Sequence, residues 1–449
     1  MAILAPFRGI LYNQQKIEDM SLIVTPPYDI ITKEEQEKYY QRHPYNIIRL
    51  VLGKELRGDD DKTNKYTRAA DYLRIWQEED ILMRDVRPSI YYHQQEFPVK
   101  GNRTKIRKGF ITLVRLEHFE SGVVLPHEKT MMGPRADRLK LIESCNANLS
   151  PIFSLYSDPE KRIDGIFEEK EPADPCIDLL DDDRIRHQLW RVHDREVVQR
   201  VMEEVEGLSL FIADGHHRYE TALNYCLDRR GKNRKLGGDE AYNYVMMYLS
   251  NMDDDGLLIL PTHRLVYNLD DFDRDLFFRK AEEHFYREDF GFKDSNEFEI
   301  RRELFAQLER YGQRQHTFAM YEKGSNCYSL LTLKSEDIVN SGVMKDIPPV
   351  LRLLDVNILQ TLILNAILGI SDQNMESQEN VDFIEDSDEA IELVKKDEYQ
   401  LVFLVNPTKV KQVNEAAFAR VRMPQKSTFF YPKLLSGLVI NSIQGTMSD

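Results

Sequence analysis

The stretch Phe211-Ile212-Ala213-Asp214-Gly215-His216-His217-Arg218-Tyr219-Glu220-Thr221-Ala222-Leu223 sets two adjacent histidines between an aspartate–glycine pair and an arginine. The apolar run that leads into it, Leu-Ser-Leu-Phe-Ile-Ala, predicts a short buried strand. Beyond it, Tyr219, Ala222, Leu223, Cys226 and Leu227 recur at helical spacing, which predicts a helix over 218–230. The polar residues therefore occupy a strand-to-helix turn. The free N–H groups of a helix N-terminus favour anions. His216, His217 and Arg218 add donors at the same place. A carboxylate beside a phosphate site usually has a Mg²⁺ to bridge it to the phosphate oxygens, and Asp214 is placed for that. The residues suit a nucleotide phosphate with its metal. Two other readings stay open on the residues alone. Asp214 can cap the helix while the histidines pack locally. Zinc is the third, although adjacent residues rarely face one metal and no HxxxH or CxxC partner accompanies them.

Bulk properties narrow the function classes. The chain has 449 residues, 60 basic and 76 acidic, for a net charge of −16. Its length predicts two or three domains. An acidic chain is a poor default binder of nucleic acid or of anionic membrane, since phosphates are bound through excess Lys and Arg. Neither is expected as a partner. Cys145, Cys176, Cys226 and Cys327 form no CxxC pair, which argues for reduced thiols and a cytoplasmic protein. The N-terminus shows no charged segment followed by an apolar one, so no signal peptide is expected. The most apolar stretch, 349–370, is interrupted by Arg352, Asp355, Asn357, Gln360 and Asn365. It predicts a buried core helix rather than a membrane span. The oligomeric state is left open.

Along the chain, Thr32 and Glu35 form a possible capping box, and apolar spacing predicts a helix over 64–79. Residues 89–97 and 109–116 predict a hairpin with a long loop. Residues 371–390, polar and acidic, are expected to be a loop. Leu401–Pro407 predicts a strand entering a turn. The expected organisation is an N-terminal cap segment over 1–85, a core over 86–268 and a C-terminal α/β lobe over 269–449.

A second constellation is Pro126-His127-Glu128-Lys129-Thr130, after the apolar Val-Val-Leu run. A carboxylate at a strand end can take a proton from a substrate hydroxyl, which makes Glu128 a candidate base. His127, Lys129, Arg135 and Arg138 are candidates for substrate contact, as are His263 and Arg264 in the Thr262-His263-Arg264 stretch. Near the C-terminus, Lys426 and Ser427 resemble the end of a phosphate loop without its glycines. A further weak candidate is the Pro26-Pro27-Tyr28-Asp29 turn.

Two motifs in order, Pro126-His127-Glu128 and then Asp214-Gly215-His216-His217-Arg218, resemble those of free serine kinases in the ParB/sulfiredoxin-like superfamily. The whole chain also resembles domain-of-unknown-function family 1015. That resemblance is carried by PFRGI, PPYD, PYNIIRL, LPHEKT, ANLSPIF, IADGHHRYETAL, LPTHRL and KSTFFYPKLLSGLV. The kinase resemblance implies an α+β fold with a mixed-sheet core holding both motifs. It implies Glu128 as general base and Asp214 as the metal-assisting carboxylate. Gly215, His216, His217 and Arg218 would form the phosphate-binding turn. Apart from that resemblance, the Lys426–Lys433 stretch is expected to close over the cleft and bring Lys426, Ser427 and Lys433 near the phosphate. The implied cofactors are Mg²⁺ and a nucleotide, ATP or ADP with CTP as a further option. The implied reaction is phosphoryl transfer to a small hydroxylated metabolite, free serine favoured. The alternatives are a ParB-like nucleotide switch with slow hydrolysis and a metal-dependent phosphatase or nuclease.

Overall fold

The computed structural model describes residues 1–449 apart from 100, 102, 129–132, 170–173, 233–237, 271, 341 and 448–449. The chain divides into two compact units. The first comprises residues 1–126, 130–258 and 432–449, and the second residues 127–129 and 259–431. The N-terminal 85 residues thus belong to the first unit. The architecture is α+β.

The first unit is built on a nine-stranded mixed sheet. The hairpin Ile90–Val99 and Arg103–Arg115 forms its antiparallel centre, with Tyr91 opposite Ile111 and Val99 opposite Arg103. This hairpin is longer than its apolar residues predict, because the polar stretch around residue 104 is recruited to the pairing. Tyr244–Asn251 continues the sheet antiparallel to Arg103–Arg115, then Ile152–Tyr156 joins in parallel. Leu210–Asp214 follows, antiparallel to Ile152–Tyr156 and parallel to the edge strand Val124–Pro126. The helices Arg195–Glu206 and His216–Lys232 bury Val197, Val201, Val205, Tyr219, Ala222 and Cys226 against Ile152, Ile212, Met247 and Leu249 of the sheet. Ordinary end chemistry fixes these helices. Asp194 accepts from the N–H groups of Glu196 and Val197 at the start of one. In the N-terminal segment, Thr32 and Glu35 make the predicted reciprocal capping box. Asn64 caps the helix Lys65–Glu78.

The second unit holds a six-stranded sheet in which all pairings are antiparallel. Its strands are apolar on both faces. Phe318 and Met320 join a cluster with Phe277, Leu359 and Ile363, whereas Ala319 and Tyr321 join one with Leu304, Leu308 and Ile391. The period of two in a strand sends neighbours to opposite faces, and helices cover both.

Two expectations fail here. The run 349–370 is not one helix. It breaks into Pro349–Arg352 and Asp355–Ile358 around an extended Leu354, and then becomes a π-helix over Leu359–Asn365. The polar residues inside the apolar run satisfy the backbone at the break. Asn357 Nδ2 donates to Leu351 O at 2.7 Å and Arg352 Nε to Ile347 O at 2.8 Å. Nor is 371–390 a loop. Ser371 caps the helix Asp372–Glu376, Val381–Ile384 pairs with His263–Val266, and Asp386 caps the helix Ser387–Lys395. Capping residues are polar by function, so a segment made of short elements carries loop-like composition.

Among the described residues, no helix is long and apolar enough to cross a membrane.

Candidate functional site

In the first unit the strand Leu210–Asp214 is buried up to Ala213, and Asp214 emerges at its end. The pairing with Ile152–Tyr156 slips between Ile212 and Asp214, a bulge that turns the strand end. Gly215 follows with φ of +91°, a backbone conformation that side chains resist. A Cβ there would stand 2.9 Å from the Arg218 guanidinium, so glycine also makes room for the arginine to fold back. Arg218 Nη2 donates to Asp214 Oδ2 at 2.9 Å, and Nη1 donates to Pro151 O. The other carboxylate oxygen of Asp214 lies 3.5 Å from Lys433 Nζ. One carboxylate thus stands between two cations at the first turn of a 17-residue helix. The cluster keeps a net positive charge at the N-terminal end of the helix, the electrostatics of an anion site.

Lys433 is held from behind. Arg107 and Gln95 are 1% and 0% exposed in the sheet interior. Gln95 Nε2 donates to Lys433 O at 3.0 Å, and Arg107 Nη2 to Pro432 O at 2.5 Å. Arg107 also donates to Gln95 Oε1 and lies 4.5 Å from the Phe153 ring centroid. Neither Arg107 nor Gln95 stands out in the sequence, where both sit in a polar hairpin. Only the sheet brings them under residues 432 and 433.

Arg138, on the helix Gly133–Cys145, lies 3.9 Å over the Tyr28 ring, and its Nη1 donates to Val51 O at 2.8 Å. Its charge is matched by Asp137, which Lys65 and Tyr66 also contact. With Tyr28, Arg218, Ser150 and Thr221, Arg138 lines a cavity of about 60 Å³. That volume admits a few waters or a small polyatomic group, not a nucleotide. Burial raises the Tyr28 hydroxyl pKa, and the nearby Arg138 and Arg218 charges oppose the rise. The Pro-Pro-Tyr-Asp turn thus joins Arg138 and Arg218 at one place. Lys129 lies outside the described residues, as does the side chain of Arg135.

The second unit contains Glu128. Its Oε1 accepts from Ser427 N at 3.0 Å, and from Thr428 N and Thr428 Oγ1 at 3.3 Å each. Among the described residues no donor reaches Oε2. Lys426 precedes these N–H groups with φ of +54°. A left-handed residue followed by converging N–H groups is an anion-holding nest. The stretch that resembles the end of a phosphate loop here holds a carboxylate of the chain itself. His127 is 1% exposed, with Nε2 2.8 Å from Thr428 Oγ1 and its ring edge-on to Phe430. His263 is buried too. Its Nδ1 accepts from Val405 N at 3.1 Å and its Nε2 lies 2.8 Å from Ser387 Oγ, which reads as a structural histidine. Arg264 donates to Thr262 O and, at 3.3 Å, to Lys426 O.

The family model of DUF1015, described as a protein of unknown function, matches residues 4–357. The chain belongs to the DUF1015 family. No curated protein matches this DUF1015 chain. Among solved structures, a conserved hypothetical protein from Pyrococcus furiosus is similar at 12% identity and a TM-score of 0.34, over 79% of this chain and 99% of that one. A free serine kinase variant in complex with ADP is similar at 12% identity and a TM-score of 0.35, over 74% and 90%. A C-terminally truncated SbnI from Staphylococcus aureus is similar at 11% identity and a TM-score of 0.34, over 73% and 86%. At such scores none of these likenesses carries an argument about the DUF1015 chain.

Proposed function

We propose that this chain is a nucleotide-dependent phosphotransferase acting on a small hydroxylated metabolite, with free serine favoured by the two motifs. The observation that carries the reading is the Asp214 carboxylate set between Arg218 and Lys433 at the start of the helix His216–Lys232. Phosphoryl transfer is catalysed mainly by positioning and charge stabilisation, and these are the groups it uses. In this reading Gly215, His216, His217 and Arg218 receive the nucleotide phosphates, and Lys433 adds a cation. Mg²⁺ sites commonly take one or two carboxylates and complete themselves with phosphates and water, and Asp214 would serve as that carboxylate by exchanging Arg218 or Lys433 for the ion. The ion would spread the charge of the transferring group. Glu128 takes the role of acceptor base, supported by an Oε2 that no described donor occupies.

The test is phosphate transfer by the whole chain with Mg²⁺, using ATP, ADP and CTP separately and a pool of hydroxyl-bearing amino acids and sugars, read by mass spectrometry. A phosphorylated acceptor that disappears in Glu128→Ala is the expected result. Nucleotide consumed without a phosphorylated acceptor would replace the proposal with a hydrolase or switch.

A further inference from the structure

The second unit holds a pocket of about 580 Å³, within the usual range for small-molecule sites of roughly 300–1,000 Å³. Its lining draws together three stretches that the phosphotransferase reading leaves unused. These are Arg264 after Thr262-His263, Pro424 and Gln425 ahead of Lys426, and the polar residues of the broken helical run. Asn357, Gln360, Thr361 and Asn365 face it, three of them from the π-helix Leu359–Asn365. π-Helical turns cost hydrogen-bond geometry and are common at functional sites.

Arg264 is 4% exposed and lies 5.3 Å from the Phe383 ring centroid. Its hydrogen bonds go to backbone carbonyls, Thr262 O and Lys426 O. Among the described residues no carboxylate forms an ion pair with it. Burial draws its pKa down to about 10 against the opposing field of Glu128. A buried cation without an anion at contact distance is costly, and an anion brought into the cavity would offset that cost. Elsewhere in the lining, Asn365 Oδ1 is a buried acceptor with no partner. Its amide is fixed in direction, because Asn365 Nδ2 donates to Asp372 Oδ1 at 2.9 Å and Gln360 Nε2 donates to the same oxygen at 2.6 Å. The acceptor therefore cannot be satisfied by a simple flip of the amide without losing the Asp372 bond. Asp346 and Asp372 are exposed, so negative charge belongs to the rim and the buried cation to the interior.

We propose that this cavity binds a small organic anion, a carboxylate or phosphate ester, whose charged group meets Arg264 and whose hydroxyl or amino group donates to Asn365 Oδ1. The inference stands apart from the phosphotransferase reading, because it concerns binding without nucleotide. Three probes on one carbon skeleton test it: glycerate, glycerol phosphate and glycerol, each titrated against the whole chain by saturation-transfer NMR. Saturable binding of glycerate or glycerol phosphate, with glycerol at least tenfold weaker, is expected. Arg264→Met should weaken it tenfold or more and Asn365→Leu severalfold. Asp214→Asn, which removes nucleotide binding under the phosphotransferase reading, should leave it within twofold. Which of the two anions binds more tightly identifies carboxylate or phosphate. If Arg264→Met does not fold, Arg264→Lys and Asn365→Leu carry the comparison. No binding of either anion, equal binding of glycerol, or wild-type binding by both the Arg264 and Asn365 variants overturns the proposal.

Discussion

Lys433 Nζ lies 3.5 Å from Asp214 Oδ1, although 219 residues separate the two in the chain. The contact depends on the backbone of residues 432 and 433, which Arg107 and Gln95 hold from the sheet. A hydrogen-bonded buried charge leaves its partners unsatisfied when it is removed, which costs about 3 kcal/mol. Arg107→Met should therefore lower the free energy of unfolding by roughly that amount in urea titration. Lys433→Met should leave stability nearly unchanged and weaken nucleotide binding about tenfold, the effect of one lost charge-assisted contact. Equal nucleotide affinity in Lys433→Met would remove Lys433 from the phosphate site.

Gly215 carries a positive φ and sits where a Cβ would press on Arg218. Gly215→Ala should cost about 1–3 kcal/mol from backbone strain and displacement of the arginine. Thermal unfolding of the variant measures the loss. An alanine variant as stable as the parent would mean that the turn relaxes freely.

Glu128→Gln keeps an oxygen for the N–H groups of Ser427 and Thr428 and removes only the charge and the basic lone pair. Under the base assignment, transfer should fall by about 10²–10⁴ while nucleotide affinity stays within about twofold. A parallel loss of both would assign Glu128 to folding the 427–428 loop.

Asp164, in the helix Arg162–Glu169, is 5% exposed, and its Oδ2 has no partner among the described residues. Burial, with Asp254 alongside, pushes its carboxyl up to about 6. The folded state thus holds this proton more tightly than the unfolded state does. Stability from this group is greatest at low pH and is lost as pH rises from about 4 to 6. Asp164→Asn should accordingly be more stable than the parent at pH 8, by about 3 kcal/mol. The difference should vanish near pH 4. Parallel melting curves at both pH values decide it, and a gap that persists at pH 4 would put the cause elsewhere than titration.

Sequence alone determined the local pieces: the strand-to-helix turn at Asp214–Arg218, the capping box at Thr32 and Glu35, and the central hairpin. Each follows from short-range rules, since periodicity, capping and turn chemistry act within a few residues. Sequence also marked Asp214, Arg218 and Glu128 through the density of polar groups at strand ends. Tertiary structure alone decided the rest. It laid Arg107 and Gln95 under residues 432 and 433, gave the Lys426–Thr428 nest the Glu128 carboxylate to hold, and broke the apolar 349–370 run at Leu354 and in a π-turn. It also gathered Arg264, Asn365 and Gln425 around one cavity. Such contacts join residues far apart in the chain, and a local pattern carries no record of which distant backbone will pass beside it. The polar residues inside 349–370 argued against a membrane span, yet the run departs from the single core helix that it predicted. What they did not specify was the direction of the departure, because a buried amide can mend a break or face a cavity, and here Asn357 and Asn365 do both.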